Sequence, residues 1–417
     1  MQLYDMAIIG GGPAGMMAAG KAAESGAKVI LLEKNANLGN KLLITGGGRC
    51  NVTNAEYDIR KFLSKYKDSD KFLFSAFSQF SVKDTIEFFN KRGMPTKVEA
   101  GNRVFPESDK AESVWNVLIE YMKQGNVEIM TNAVVTGFEK ENDKIISVNL
   151  KNGQKIQAKK FVLATGGTSR PETGSTGDGF AWLKDIGHKV IPSDNALVPI
   201  VLNMDGDNNW LKDLQGATLQ DIKLTTFQNN QKQESHKGKL LFTHFGLSGP
   251  TILNMSKDIG ELLKYGEVQI KLDLLPELDH GMLNNRLQEL FKIDDKKMIK
   301  NSLGSLISNA LVNAIIKVSK IDGNKINNAI TREERMKLIE MIKNLSMQVN
   351  GLMGSDKAIV SSGGVDLTEV DFKTMQSKLI SNLYLIGDIL NIDRPSGGYS
   401  LQLCWTTGYV AGNSVNQ

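Results

Sequence analysis

The chain is short of the residue types that build metal centres and disulfide frameworks. It has two cysteines, Cys50 and Cys404, too few for a disulfide scaffold or a four-thiolate zinc site. Its four histidines, His188, His236, His244 and His280, show neither i,i+4 spacing nor an HExxH pattern, so no protein-held metal is expected. No apolar run approaches the ~18–20 residues of a membrane span. Met1 to Gly12 lacks a basic region and a cleavage site, and reads as a first strand rather than a signal peptide. Charge is nearly balanced: 50 basic against 46 acidic residues leave +4 over 417 residues, too little to imply a nucleic-acid or anionic-membrane partner. A reduced, cytoplasmic, metal-free protein is expected. What the chain has in excess is glycine, 40 residues and often clustered, where backbone turns tightly or approaches a ligand. With 41% hydrophobic and 23% charged residues it is an ordinary globular chain, long enough for two to three domains.

Met6 to Ile9 is a short apolar run ending in Gly10-Gly11-Gly12-Pro13-Ala14-Gly15, and helix formers follow from Met16 to Glu24, closed by Gly26. Lys28-Val-Ile-Leu-Leu-Glu33 then reads as a buried parallel strand, completing a βαβ unit. A glycine cluster, Thr45 to Asn51, precedes a helical stretch rich in phenylalanine (Phe72, Phe74, Phe77, Phe80, Phe88, Phe89). Strand patterns return at Val127–Phe138, Ile145–Leu150 and Lys155–Leu163, the last two joined by a Lys151-Asn-Gly-Gln154 hairpin turn. Residues 197–275 alternate polar and apolar side chains, which predicts an antiparallel sheet or small barrel. Residues 282–345 are helical, with Leu306, Ile307, Leu311, Ile315 and Val318 on one stripe and a capping box at Thr331–Glu334. The closing residues return to the opening style, with Leu383-Tyr-Leu-Ile386 running into Gly387-Asp388 and Gly397-Gly398 opening a last helix near Ser400. The order predicts an α/β nucleotide-binding domain of Rossmann type (residues 1–194 with 355–417) interrupted by insertions. These are a β-rich barrel-like domain (195–275 with 346–354) and a small helical domain (276–345).

Gly10-x-Gly12-x-x-Gly15 gains weight from its context. Gly10 permits the turn, Gly12 lets the backbone approach a pyrophosphate, and Gly15 allows close helix–strand packing. Glu33 is placed to accept from the adenosine ribose hydroxyls and to repel a 2′-phosphate, which argues against NADP here. A strand ending in Gly387-Asp388 far downstream resembles the way FAD enzymes of glutathione-reductase type hold the ribityl chain, so FAD is preferred over NAD. Ala164-Thr165-Gly166-Gly167 and Thr176-Gly177-Asp178 resemble fumarate-reductase and aspartate-oxidase flavoproteins, although Asp178 reads better as a helix cap than as a catalytic group. A helix start at Gly398-Tyr399-Ser400-Leu401 would favour negative charge on a reduced flavin ring.

Taken with Thr45-Gly-Gly-Gly-Arg-Cys-Asn-Val-Thr-Asn54, Arg103–Ala111 and Thr243-His-Phe-Gly-Leu-Ser-Gly-Pro250, these motifs resemble the aminoacetone-oxidase-type FAD enzymes, a group that includes the BaiN-like reductases. The resemblance covers nearly the whole chain. It implies a non-covalent FAD touched by Gly10, Gly12, Pro13, Ala14, Gly15, Glu33, Lys34, Lys41, Gly46, Gly47, Gly48, Arg49, Cys50, Asn51, Val134, Ala164, Thr165, Gly166, Gly387, Asp388, Gly398, Tyr399, Ser400 and Leu401. Cys50 is expected as a packed residue beside the isoalloxazine, since a redox pair needs a second nearby thiol and a Cys50–Cys404 bond is disfavoured in a reducing compartment. The catalytic residue stays open among His244, Tyr399 and Arg394, with a structural role the better reading for His244.

The expected activity is hydride transfer between flavin N5 and a small amine or enone-type substrate, or NAD(P)H. No second GxGxxG follows residue 167, so NAD(P)H would be a transient electron donor. Oligomeric state is left open. An FAD-dependent RNA-modifying protein is the alternative of another class. Against it, Lys292, Lys296, Lys297 and Lys300 are interleaved with Asp294 and Asp295, as on a solvated helix face. A fumarate-reductase-like dehydrogenase is disfavoured because no paired His and Arg pattern for a dicarboxylate is present.

Overall fold

A computed structural model describes residues 3–192, 195–354, 360–361 and 363–414. Two compact units divide the chain, Met1–Asp194 with Ile359–Gln417, and Asn195–Ala358. The expected domain edges at 194–195 and 354–355 abut residues 193–194 and 355–359, which lie outside the described residues.

In the first unit, strand β1 (Leu3–Ile9), helix α1 (Pro13–Glu24) and strand β2 (Val29–Leu32) form the predicted βαβ unit. All four side chains of β2 are buried, as a parallel strand covered on both faces requires. Pro13 opens α1 at the position where its missing N–H costs nothing, and Gly26 follows the helix at φ +84°. β1 pairs in parallel with β2 and with Lys155–Leu163, β2 with Glu128–Met130, and Leu383–Leu385 with the far side of Phe161–Leu163. The C-terminal segment therefore completes a sheet begun at the N-terminus. The expected single strand at 127–138 is two, Glu128–Met130 and Val135–Glu141. Asn132 turns at φ +53°, a conformation asparagine tolerates, and the Ala133 N–H donates to the Glu33 carbonyl at 2.9 Å, which carries the chain across the end of β2.

The final helix, Tyr399–Asn413, is buried on nearly every side, so it lacks an amphipathic stripe. It lies so close to α1 that a Cβ on Gly408 or Gly412 would stand 2.5 Å from the Ala14 or Ala18 carbonyl oxygen. The aromatic helices Asp70–Gln79 and Val82–Lys91 pack beside it, with Trp405 edge-on to Phe89.

The second unit is built on a closed barrel whose strands run Ile200–Leu202, Gly246–Ser248, Gln231–Thr243, Thr218–Gln228, Val268–Asp273 and Leu345–Leu352 in order around the wall. Closure leaves no bare strand edge. Helices His280–Ile293, Asn309–Ser319 and Arg332–Lys343 connect its last two strands. Leu283, Leu311, Ile315 and Leu338 join one apolar cluster with Leu224, Leu240 and Ile270, so the helical stretch shares a core with the barrel. The Thr331–Glu334 capping box forms in both directions. Leu306 and Ile307 precede the helix expected to carry them, which begins at Asn309. The lysines near 292–300 do not share a helix face: Lys292 ends one helix, Lys296 and Lys297 occupy the turn after it, and Lys300 lies in the short helix Ile299–Ser302. Among the described residues no helix is long and apolar enough to cross a membrane.

Candidate functional site

The glycine turn after β1 is fixed by contact. Gly10 has φ +108°, and a Cβ there would meet the Ala164 carbonyl oxygen at 2.5 Å, while one on Gly15 would meet the Gly10 carbonyl oxygen at 1.9 Å. Gly12 has nothing within 4 Å of the same position, which leaves its backbone open to a ligand. No side chain caps α1, whose first N–H groups are left for an anion. In front of this turn opens a cleft of about 1270 Å³, part of it continuous with solvent. The predicted residues that line it are Gly10, Gly12, Pro13, Ala14, Glu33, Lys34, Lys41, Ala164, Thr165, Gly166, Gly387, Asp388, Ser400 and Leu401.

Glu33 is 8% exposed at the end of β2. Its Oε2 accepts the Gly11 N–H at 2.8 Å, and its Oε1 accepts the Asn35 N–H at 2.9 Å and the Asn35 Nδ2 at 2.8 Å. Three acceptor sites are thus filled of roughly four on a carboxylate, leaving room for a hydroxyl. The opposite wall, residues 165–178, is tied on by three neighbouring side chains. Lys34 Nζ donates to Thr176 Oγ1 at 2.5 Å and Asp178 Oδ2 at 2.8 Å, Asn35 Nδ2 to the Thr173 carbonyl at 3.1 Å, and Lys41 Nζ to Ser169 Oγ at 2.6 Å. Burial alone would raise the Asp178 carboxyl, but its bonds to Lys34 and Thr176 bring it below the ordinary range. Thr165 Oγ1, in the cleft wall, is buried with no partner among the described residues. A glycine cradle, a free helix start, a carboxylate at either end and an unanswered hydroxyl fit a dinucleotide such as FAD.

Several predicted contacts lie outside the lining. Gly15 supports the turn from behind. Gly46, Gly47, Gly48 and Cys50 have φ of +57°, +69°, +85° and +60°, and none of them faces the cleft, though Thr45 at the head of that loop does. Arg49 is drawn away by acids distant in sequence: it pairs with Glu99 at 2.5 Å and with Asp109, its guanidinium 4.3 Å from the Phe105 ring. Asn51 Oδ1 is buried without a partner among the described residues. Val134 is 38% exposed between two lining residues, and its carbonyl accepts the Lys151 N–H. Gly398 packs its backbone on Thr53, where a Cβ would come within 2.3 Å.

Of the catalytic candidates, His244 is an exposed turn residue of the other unit, its ring beside Phe245. Tyr399 belongs to a buried aromatic group with Phe62 and Tyr66, and its phenol is pushed up by burial. Arg394 is buried behind the cleft, against Asp388 and Ser400. Both thiols are free. Burial pushes Cys50 and Cys404 each up to about 12, so both are protonated at neutral pH. It is Cys404, not Cys50, that lines the cleft. The lining also takes in Asn35 and Thr173 to Ser175, which the sequence motifs leave out, and Thr45, Thr176, Trp182 and Cys404, which the sequence singles out without counting them as contacts; the small polar run Thr173-Gly-Ser-Thr176 beside an expected ligand turn is the signal. Among the described residues no three His, Cys, Asp or Glu groups could hold a metal ion.

The model of the family described as HI0933-like protein Rossmann domain matches residues 4–414. At 29% identity over 98% of both chains, the protein is similar to the 3-dehydro-bile acid delta(4,6)-reductase of Clostridium scindens. At the same identity, over all of this chain and 98% of the relative, it is similar to the ribosomal RNA dihydrouridine synthase of Escherichia coli. Among solved structures, a 3-ketosteroid delta1-dehydrogenase from Sterolibacterium denitrificans shares the fold with a TM-score of 0.55 and 13% identity, covering 100% of this chain and 99% of that one. The chain belongs to the HI0933-like Rossmann-domain family and is an FAD-dependent oxidoreductase.

Proposed function

We propose that this protein reduces a carbon–carbon double bond conjugated to a carbonyl in a small organic substrate, with FAD in the cleft described above and NAD(P)H as a transient donor. The observation that carries the reading is a single cleft that gathers the N-terminal glycine turn, Glu33 and the C-terminal Asp388. Residues 1–194 with 355–417 are assigned as the FAD domain. Bound FAD supplies a two-electron hydride carrier. The helix start at Gly12 to Gly15 holds its pyrophosphate, Glu33 accepts from the ribose, and Asp388 accepts from the ribityl hydroxyls. The start of the final helix, at Ser400 and Leu401, favours negative charge near it. The enone preference rests on the names of the two relatives above. A 3-oxo bile acid with Δ4 and Δ6 bonds and the uracil ring both present a double bond conjugated to a carbonyl. Two cysteines that form no disulfide suit a reducing, cytoplasmic setting. The test is anaerobic: NADH or NADPH bleaches the yellow protein, and a 4-en-3-one steroid restores the colour faster than buffer does. Bleaching by amines with no response to the enone would overturn the assignment.

One observation favours a second reading, in which the double bond belongs to a uracil in RNA. From Lys292 to Lys325 seven lysines face three aspartates, a surplus of four that equals the net charge of the whole chain. The segments carrying most of them are stitched into one tip by Ile299 N–H to Lys325 O (3.0 Å) and Asn327 N–H to Lys297 O (2.9 Å), and Lys292, Lys296, Lys300 and Lys320 are exposed. RNA affinity that falls steeply with salt, and less steeply once these four are alanine, would favour RNA over a free steroid.

A further inference from the structure

We propose that Arg394 is the positioning residue of the cofactor cleft: its buried guanidinium locks the carboxylate of Asp388 to the first turn of the final helix, and the cleft feels it only through those two points. The proposal rests on the reading of the cleft as an FAD site. The Arg394 side chain is 1% exposed, and each of its nitrogens is committed in a different direction. Nε donates to Ser400 Oγ at 3.0 Å, Nη1 to the Ile392 carbonyl at 2.7 Å, and Nη2 to Asp388 Oδ1. Asp388 and Ser400 line the cleft, whereas Arg394 does not. A guanidinium does not release a proton near neutral pH, so the acid role that its sequence position suggested gives way to a geometric one.

The charge arithmetic explains why an arginine is needed. Around the Asp388 carboxylate stand Arg394, Lys41 with Nζ at 3.4 Å, and the Cys404 thiol, with the Tyr66 phenol near Arg394, Cys404 and Tyr399. Burial alone would push Asp388 up, but the fields of Arg394 and Lys41 overrule it and hold the carboxyl below its usual range. Lys41 is a weak substitute, since its ammonium is closer to Ser169 Oγ, at 2.6 Å, than to Asp388. Without Arg394 the buried carboxylate keeps one loosely bonded cation, Lys41, takes up a proton as pH falls toward neutrality, and loses an acceptor for a ligand hydroxyl. A lysine at 394 would restore charge but not the planar fork that reaches a carboxylate, a hydroxyl and a carbonyl at once.

The experiment measures the FAD dissociation constant of the whole protein from pH 5.5 to 8.5 by the fluorescence of released FAD. The wild type is expected to be flat over this range. Arg394→Gln should bind FAD at least tenfold more weakly at pH 6 than at pH 8.5, and adding Asp388→Asn should flatten that profile again. A glutamine variant with wild-type affinity, or one weakened equally at every pH, overturns the proposal. Should that variant not fold, Arg394→Lys carries the test: its profile stays flat with affinity at least tenfold below wild type, and wild-type affinity there is the contrary result. A wild type that binds no FAD would instead sink the cofactor reading itself.

Discussion

The two units solve the problem of making a core in different ways. The barrel unit closes its sheet on an interior mainly of Leu, Ile and Val, with three buried aromatics, Trp210, Phe242 and Phe291, a few buried small polar side chains such as Ser302 and Asn327, and one buried lysine, Lys343, held by two backbone carbonyls and Asp273. The sheet unit carries polar and charged groups in its interior. Glu33 and Asp388 line the cleft with Arg394 buried behind Asp388, and Gln402 sits in the first turn of the final helix with Thr53, Thr85 and Thr406 bonded to its amide. An interior assembled from such groups tolerates little rearrangement, because each lost partner leaves a buried donor or acceptor unanswered. A closed aliphatic barrel pays mainly in volume. The difference teaches that the more exacting interior is the one beside the cleft.

The sharpest way to break that comparison is Gly15→Val. The new Cβ would stand 1.9 Å from a backbone oxygen that cannot move without opening the glycine turn. We expect a loss beyond the ~1–3 kcal/mol of ordinary overpacking, seen as colourless or insoluble protein. By contrast Gly351, in a barrel strand, has open space at its Cβ position, and Gly351→Ala should leave the melting temperature nearly unchanged. If both variants behave alike, the contrast between the units is not real. Next in size is Gln402→Leu, which strands the Thr53 hydroxyl in a dry interior and should cost about 3 kcal/mol in denaturant unfolding. A neutral result would mean that the network is dispensable.

Glu33→Ala is a milder test aimed at the ligand rather than the fold. It removes the acceptor of the Gly11 N–H and the one proposed for a ribose hydroxyl, and should weaken FAD binding by about 1–3 kcal/mol in titrations of the apoprotein. Unchanged affinity would show that the carboxylate serves only its own loop. In the barrel unit, Thr331→Ala opens a capping box and should cost about 1 kcal/mol while leaving FAD affinity untouched. A drop in FAD affinity in that variant would tie the helical segment to the cofactor.

What the sequence made legible was local. The glycine turn, Glu33 and Gly387-Asp388 announce themselves because a strand, a turn and an acid fall at fixed spacing along the chain. Arg49 was misplaced because its partners, Glu99 and Asp109, are brought to it by a small sheet of Thr53–Asn54, Arg103–Pro106 and Thr96–Glu99, a pairing no local pattern encodes. The buried bonding of Gln402 escaped for another reason. It lies on a helix buried all round, where hydrophobic periodicity carries no information about which side meets which neighbour. The sequence signal that orients this helix against α1 is the four-residue spacing of Gly408 and Gly412, which the motif reading did not use.

The smallest expected effect is one of pH. His188 is buried in the sheet unit, with Nδ1 2.9 Å from Glu369 Oε2 and Nε2 3.0 Å from Ser377 Oγ. The Ser377 oxygen already accepts the Leu379 and Ile380 N–H groups, so its own hydrogen is free for Nε2, which makes the ring a neutral Nδ1–H tautomer. Burial lowers the pKa of His188, and the opposing pull of Glu369 does not restore it. The unfolded chain therefore takes up this proton first: the contribution is whole above the ordinary histidine range near 6.5 and is lost as pH falls through the depressed folded value. One proton gives a slope of at most about 1.4 kcal/mol per pH unit, so the loss at pH 6 stays below about 1 kcal/mol. Melting temperatures of the wild type should decline from pH 7 to 5.5 more steeply than those of His188→Gln. Parallel curves would place the proton uptake on another group, and with it remove the one buried histidine from the polar framework that distinguishes this unit from the barrel.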